Sequence, residues 1–320
     1  MYPLLLKPLI KDYLWGGTRL KTDFGFDTDK GIVAEAWMLS CHKDGTNTVV
    51  NGEHAGKRLD EVLKIWGKSA LGKKAEKFSY FPILIKLIDA KQKLSVQVHP
   101  DDCYALEHEG EYGKTEMWYI VDCEPGAQLA YGFKKDIDKA EFELRIKENT
   151  LDEVINYVPV NKGDVFFIAA GTLHAIGEGI LIAEIQQNSN TTYRVSDYGR
   201  LREDGKQREL HINKALDVTL TTQPTLPYGN IGCVTKYDFG IERVLADCEF
   251  FKVTKLELNG SKDIFSQNSF VSVLVLNGQI RLRHSSEILS ANKGDSFLIP
   301  CNLAVELFGN AEILLSTCNA

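Results

Sequence analysis

NKGDVFFIAAGTLHAI (161–176) returns 131 positions later as NKGDSFLIPCNLAVEL (292–307). In each copy a Gly-Asp turn feeds a short apolar run, which is how a buried strand entered through a tight turn reads in sequence. The copies differ near their ends, where His174 of the first falls opposite Val305 of the second. Two copies of one β-unit, of which only the first keeps a polar interior, is the expectation around which the rest of the chain is read.

Strand-like segments surround both copies: EAWMLSCH (35–42), FPILIKLIDA (81–90), LSVQVH (94–99), EMWYIVD (116–122), DVFFIAA (164–170) and FVSVLVLNGQIRLRH (270–284). Short β-branched and aromatic runs between Gly, Asp and Asn turns predict antiparallel β-structure. Helical signals are fewer. RLDEVLKIWGKS (58–69) spaces Leu59, Val62, Leu63 and Trp66 along one helical face. Thr150 and Glu153 suit a capping box opening a helix over LDEVINYV, and HINKALDVTL (211–220) is a third candidate. HEGE (108–111), after DDCYALE, reads as a solvated helix end, and TTQPTLPYGN (221–230), with two prolines and no period, as a linker. A Gly-Asp turn feeding a buried strand recurs in double-stranded β-helix (cupin) barrels. The expected fold is therefore mainly β, with two cupin barrels and a few short helices. Residues 1–225 would form the functional domain with peripheral helices, and 226–320 a smaller cupin-like β domain lacking a metal site.

The bulk numbers fit a globular chain: 320 residues, 44% hydrophobic and 25% charged. A net charge of −7 argues against nucleic acid as the main partner. No apolar run approaches the roughly 20 residues of a membrane span, and the N-terminus lacks a signal-peptide profile. Seven cysteines without a CxxC pair suggest reduced thiols in the cytoplasm rather than disulfides or a thiolate zinc site.

Four candidate metal donors lie between positions 97 and 174: Gln97, His99, Glu116 and His174. In LSVQVHPDD (94–102), Ser95, Gln97 and His99 alternate with Leu94, Val96 and Val98, so Gln97 and His99 share a face about 7 Å apart. Alternation alone leaves open whether that face meets water or a barrel interior. Lys114 and Glu116 on one face of a second strand, His174 after a third, and Val305 in the second copy turn the reading inward. Two imidazoles, a carboxylate and a weak amide suit zinc, with iron, manganese or cobalt as alternatives. No thiolate completes the sphere, so room is left for water or substrate. His42, His54, His108, His211 and His284 lack such a setting and are read as structural. Lys86, inside PILIKLI, is costly on a buried strand unless it faces a polar cavity or a partner. Arg194 follows the polar run Gln-Gln-Asn-Ser-Asn, which fits a ligand-facing wall or a surface loop.

QVHPDD, KTEMWYIV, AGTLHAIGEGILIAEIQQNSNTTYRVSDYGR and the early YLWGG (13–17) together resemble the type I mannose-6-phosphate isomerases. The resemblance is close over about the first 200 residues and general beyond them. It implies one zinc ion per chain on Gln97, His99, Glu116 and His174, and an active-site arginine at Arg194, ten residues after Glu184. It also implies active-site positions at Lys114, Lys86 and Ser95. The long forms insert a helical domain between the Glu and second His ligands. Here 58 positions (174 − 116) separate them, as in the short bacterial form.

The implied reaction interconverts mannose 6-phosphate and fructose 6-phosphate through an enediol. Glu184 is the first candidate for the base and Lys114 the rival; Arg194 would stabilise developing charge, and Lys86 and Ser95 would hold phosphate. The expected partner is this small phosphosugar, for a monomer or homodimer. Two other classes remain open: a non-catalytic sugar-phosphate-binding or regulatory cupin, and a non-haem iron cupin oxygenase.

Overall fold

The structure, a computed structural model, describes residues 1–201 and 204–319. Its first part is built from two facing antiparallel sheets. One has six strands in the spatial order Val165–Ile168, Glu116–Cys123, Ile180–Gln187, Ile83–Ala90, Glu35–Leu39 and Leu9–Lys11. The other has five: Ile155–Pro159, Gln128–Phe133, His174–Ala175, Val96–Val98 and Tyr193–Ser196. The two sheets face each other without closing into one hydrogen-bonded ring, an open form of the cupin barrel.

Register decides what each face carries, because residues directly opposite in an antiparallel pair point the same way. One row across the larger sheet reads Trp37, Lys86, Glu184, Trp118, Phe166, and the next reads Leu84, Gln186, Glu116, Ile168. Both rows face the interior. The alternate residues Ile85, Leu87, Met117, Tyr119, Ala183 and Ile185 face the other way, into a core shared with Phe251, Val253, Leu274 and Leu314 of the C-terminal part. On the smaller sheet, Val96, Val98, Tyr193 and Val195 pack outward beneath two helices, Lys139–Lys147 and Ile212–Val218. Alternation within LSVQVHPDD thus leaves Ser95, Gln97 and His99 for the interior.

The C-terminal part supplies seven strands of a nine-stranded sheet, and the sequence echo is an echo of structure. In the first copy the Asn161 amide donates to Asp164 Oδ2 (2.8 Å), the Gly163 amide to the Ile120 carbonyl (2.8 Å) and the Ile120 amide to the Asp164 carbonyl (2.9 Å). The second repeats each bond: Asn292 to Asp295 Oδ2 (2.8 Å), Gly294 to Val275 (2.9 Å) and Val275 to Asp295 (3.0 Å). Gly163 and Gly294 adopt φ of 91° and 93°, which explains the glycine. Residues from both halves of each 14-residue strand, Phe251–Ile264, Val271–His284 and Val305–Cys318, feed one apolar cluster, so the sheet doubles over. Gly260 and Gly309 face each other along this crease. The N-terminal strand Leu4–Lys7 joins the same sheet, with Leu4 opposite Leu298.

One helix is misplaced in the sequence reading. No helix opens at Thr150, which makes no side-chain cap; only the 3-10 turn Leu151–Glu153 forms, and Ile155–Pro159 is a strand paired with Gln128–Phe133. The helix lies earlier, at Lys139–Lys147, where the Asp138 carboxylate accepts from the Glu141 amide (2.6 Å). The other two helical readings correspond to Leu59–Trp66 and Ile212–Val218, and residues 221–230 contain neither helix nor strand. Among the described residues no helix is long and apolar enough to cross a membrane.

A Cβ at Gly309 (φ 148°) would lie 2.4 Å from the Gln279 carbonyl oxygen. Gly309→Ala is therefore expected to cost about 2 kcal/mol or more in urea unfolding. An unchanged midpoint would show that the crease tolerates a side chain.

Candidate active site and metal centre

His99, Glu116 and His174 arrive from three different strands or strand ends, yet their ligand-capable atoms lie within 4.8 Å of one another and all three are buried. His99 Nδ1 meets the Thr191 carbonyl at 2.9 Å and His174 Nδ1 the Thr172 carbonyl at 2.8 Å. A carbonyl only accepts, so each Nδ1 carries the proton and each Nε2 turns a lone pair inward. Glu116 Oε1 stands 3.4 Å from His174 Nε2, and Oε2 stands 3.7 Å from His99 Nε2. The Lys114 ammonium lies 2.8 Å from Glu116 Oε2, 3.0 Å from His99 Nε2 and 4.0 Å from Glu184. Gln97 sits opposite both His174 and Arg194 in register.

Beside this trio opens a cavity of about 290 Å³. Lys86, Ser95, Gln97, Lys114, Glu184 and Arg194 all line it, so every residue singled out in the sequence is at the cavity or in the trio it adjoins. Lys86 is buried between Glu184 (3.0 Å) and Glu35 (3.9 Å), which satisfies the requirement for a partner. Trp118 Nε1 donates to Glu184 Oε2 (3.0 Å) and Trp37 Nε1 to Glu35 (2.7 Å). Arg194 donates through its guanidinium to the Glu209 carbonyl (2.8 Å).

The polar run 186–190 is not the ligand-facing wall its composition suggests. Gln186, Gln187, Asn188 and Ser189 are buried, and the Gln186, Gln187 and Asn188 amides bond protein groups; of this run only Asn190 reaches the cavity, where Thr192 joins it. Sequence reasoning missed Glu35 and Arg208, which also line the cavity. Glu35, two residues before Trp37 on a buried strand, carried the same signal as Lys86. Arg208 lies in a stretch of charged residues and carried none; its guanidinium is held by Asp197 (2.8 Å).

Comparison with known proteins bears directly on this arrangement. A family model described as phosphomannose isomerase type I, catalytic domain, matches residues 4–121, and one for the mannose-6-phosphate isomerase cupin domain matches 241–318. A mannose-6-phosphate isomerase of Streptococcus mutans is 38% identical over 99% of this chain and 98% of its own length. The Bacillus subtilis enzyme ManA is 39% identical over 98% of each chain. The chain belongs to the type I mannose-6-phosphate isomerase family. A crystal structure of the mannose 6-phosphate isomerase from Bacillus subtilis superposes with a TM-score of 0.91 at 33% identity, over 99% of each chain. The activity of this family member is accordingly mannose 6-phosphate isomerisation, an aldose–ketose interconversion.

The chemistry of the type I site fits a metal ion. Among the described residues, buried His174 Nε2 and Glu116 Oε1 have no hydrogen-bond partner. Burial pushes the His174 imidazole down to about 4, and burial with the Lys114 ammonium pushes His99 well below its usual value, so both rings are neutral ligands. Burial and the Glu184 carboxylate push Glu116 up to about 7, with Lys114 opposing; a nearby cation would favour its ionised form. In the second barrel the register puts Val271 opposite Ile299 where Glu116 stands opposite Ile168, and Val305 opposite Ile264 where His174 stands opposite Gln97. The donors there are hydrocarbon.

Glu116→Gln and His174→Ala should each weaken metal binding more than about 100-fold, beyond the loss typical of an outer partner. Metal content after dialysis, with circular dichroism to establish folding, measures this. Native content in either variant would remove that residue from the ligand set.

Proposed function

We propose that this cavity isomerises mannose 6-phosphate to fructose 6-phosphate with one zinc ion per chain, held by His99, Glu116 and His174 with Gln97 as a fourth donor. The observation that carries the reading is the buried trio with its unpartnered Nε2 and carboxylate oxygen, adjoining a cavity walled by Lys86, Lys114 and Arg194. Neutral imidazoles and a carboxylate without thiolate favour zinc among the divalent ions. When bound, the ion supplies Lewis-acid charge to the sugar oxygens.

Moving a proton from C2 to C1 through an enediol requires an unprotonated group facing those carbons. Glu184 suits that role. Burial raises its carboxyl, but the Lys86 and Lys114 ammoniums more than offset this and hold it down at about 2, ionised at neutral pH. Lys86 and Ser95 would hold the phosphate. A phosphate drawing on Lys86 would loosen its 3.0 Å hold on Glu184 and make that carboxylate a stronger base as substrate binds. Arg194 would stabilise charge on the oxygens of the enediolate. Lys114, touching both Glu116 and His99, is the alternative base.

All these groups come from one chain, so a monomer or a homodimer would be competent. The division of labour follows the ligands: residues 1–225 would be the catalytic unit and 226–320 a cupin-like unit without a metal site. Free thiols and a phosphorylated substrate are consistent with the cytoplasm.

A coupled assay on mannose 6-phosphate, before and after chelation with metal content measured, tests the whole. Turnover should vanish with the metal and return on adding zinc; full activity in metal-free protein would overturn it. Glu184→Gln and Arg194→Ala should each lower kcat about 100-fold or more with metal retained. Near-native turnover in Glu184→Gln would pass the base to Lys114.

A further inference from the structure

The HEGE segment reads in sequence as a solvated helix end; a helix does end there, but its two carboxylates are tied to the protein. The helix is Asp102–His108; His108 and Gly110 are exposed, while Glu109 and Glu111 are partly buried. Glu109 Oε1 accepts from Tyr193 Oη (2.7 Å) and Lys214 Nζ (2.6 Å). The Glu111 side chain is 12% exposed. Its Oε2 faces Ser189 Oγ at 3.5 Å, the Asn190 amide at 3.3 Å and Thr191 Oγ1 at 3.3 Å.

Those three donors belong to one stretch. Ser189–Thr192 links the strand bearing Glu184 to the strand bearing Arg194 and has no strand pairing of its own. Yet it must be held accurately, because the Thr191 carbonyl receives the Nδ1 proton of His99 and Asn190 and Thr192 line the cavity. From inside, Gln186 Nε2 donates to the Ser189 carbonyl (2.6 Å). From outside, Glu111 gathers the Ser189, Asn190 and Thr191 donors, and Asp44 accepts from Asn190 Nδ2 (2.8 Å). Glu111 is itself anchored by Lys43 and by buried His42, whose Nε2 lies 3.6 Å away.

We propose that Glu111 is a positioning residue for the metal centre: it pins Ser189–Thr191 so that the Thr191 carbonyl fixes the ring and tautomer of His99. The inference rests on His99 being a ligand. Glu111 is neither a member of the trio nor itself part of the cavity lining, and acts only through this segment. A carbonyl held in place makes Nε2 a stronger, better-aimed donor; one free to swing lets the imidazole rotate or exchange tautomers.

The test is zinc affinity, measured by competition with a chromophoric chelator on the full chain, alongside kcat at saturating zinc and thermal unfolding. Glu111→Ala should weaken zinc binding about 10–100-fold, the range for outer-sphere partners of a ligating histidine. Glu111→Gln keeps an oxygen in place and should return most of that affinity. Excess zinc should restore much of kcat in Glu111→Ala, which a general loss of folding would not allow. Should Glu111→Ala fail to fold, Ser189→Ala cuts the same tether from the other side and should weaken zinc binding in the same direction. Native zinc affinity in Glu111→Ala, or in Ser189→Ala where it replaces it, overturns the proposal. His99→Ala, run in parallel, separates the two readings: if it keeps its zinc, His99 is no ligand and the premise fails. If it loses zinc while Glu111→Ala does not, only the positioning role fails.

Discussion

Lys86, Lys114, Glu116 and Glu184 are taken out of water together between two sheets, and none could be there alone. An isolated buried charge costs several kcal/mol, so each must have an opposite neighbour within a few ångströms. The sheet register supplies them: Lys86 faces Glu184 across one pair of strands, while Lys114 reaches Glu116 two residues along its own chain. The indole N–H of Trp118 donates to Glu184 and that of Trp37 to Glu35, while both rings present hydrocarbon to the core. Slipping one strand by a single residue would turn these charges into the apolar core on the far side. The same arrangement that walls the cavity therefore also fixes the register.

Much of this is legible in the sequence because period-two alternation is local. Ser95, Gln97 and His99 fall on one face whatever else the chain does, and a lysine within PILIKLI announces a polar interior. The NKGD echo carries still more, since the same turn with the same four residues makes the same hydrogen bonds in both barrels. What sequence does not show is which polar side chains serve ligands and which serve backbone. Gln186, Gln187 and Asn188 have the composition of a binding wall but spend their amides on carbonyls and carboxylates of the protein. Thr150 offers a capping pattern, yet the strand Ile155–Pro159 has a partner waiting in Gln128–Phe133, and tertiary pairing outweighs a local cap.

The two barrels show how little separates a reactive interior from an inert one. Turn, strand and register are kept, while Val271, Val305 and Ile264 stand where Glu116, His174 and Gln97 do in the other copy. Without charges to pair, the second interior can pack as hydrocarbon. Its outer face then serves the first barrel, closing an apolar core against the back of the sheet that bears Lys86, Glu116 and Glu184.

The N-terminal strand Leu4–Lys7 pairs with Ser296–Ile299, from the opposite end of the chain. One edge of this strand finds a partner early, in Thr48–Val49, but its other edge must wait for a strand from the far end of the chain. Loop closure over such a span is slow, and folding cannot simply proceed from the leading end. Until then that second apolar edge stays unpaired, and a nascent chain long enough to contain the His99, Glu116 and His174 trio and the cavity beside it is still short of its finished sheet.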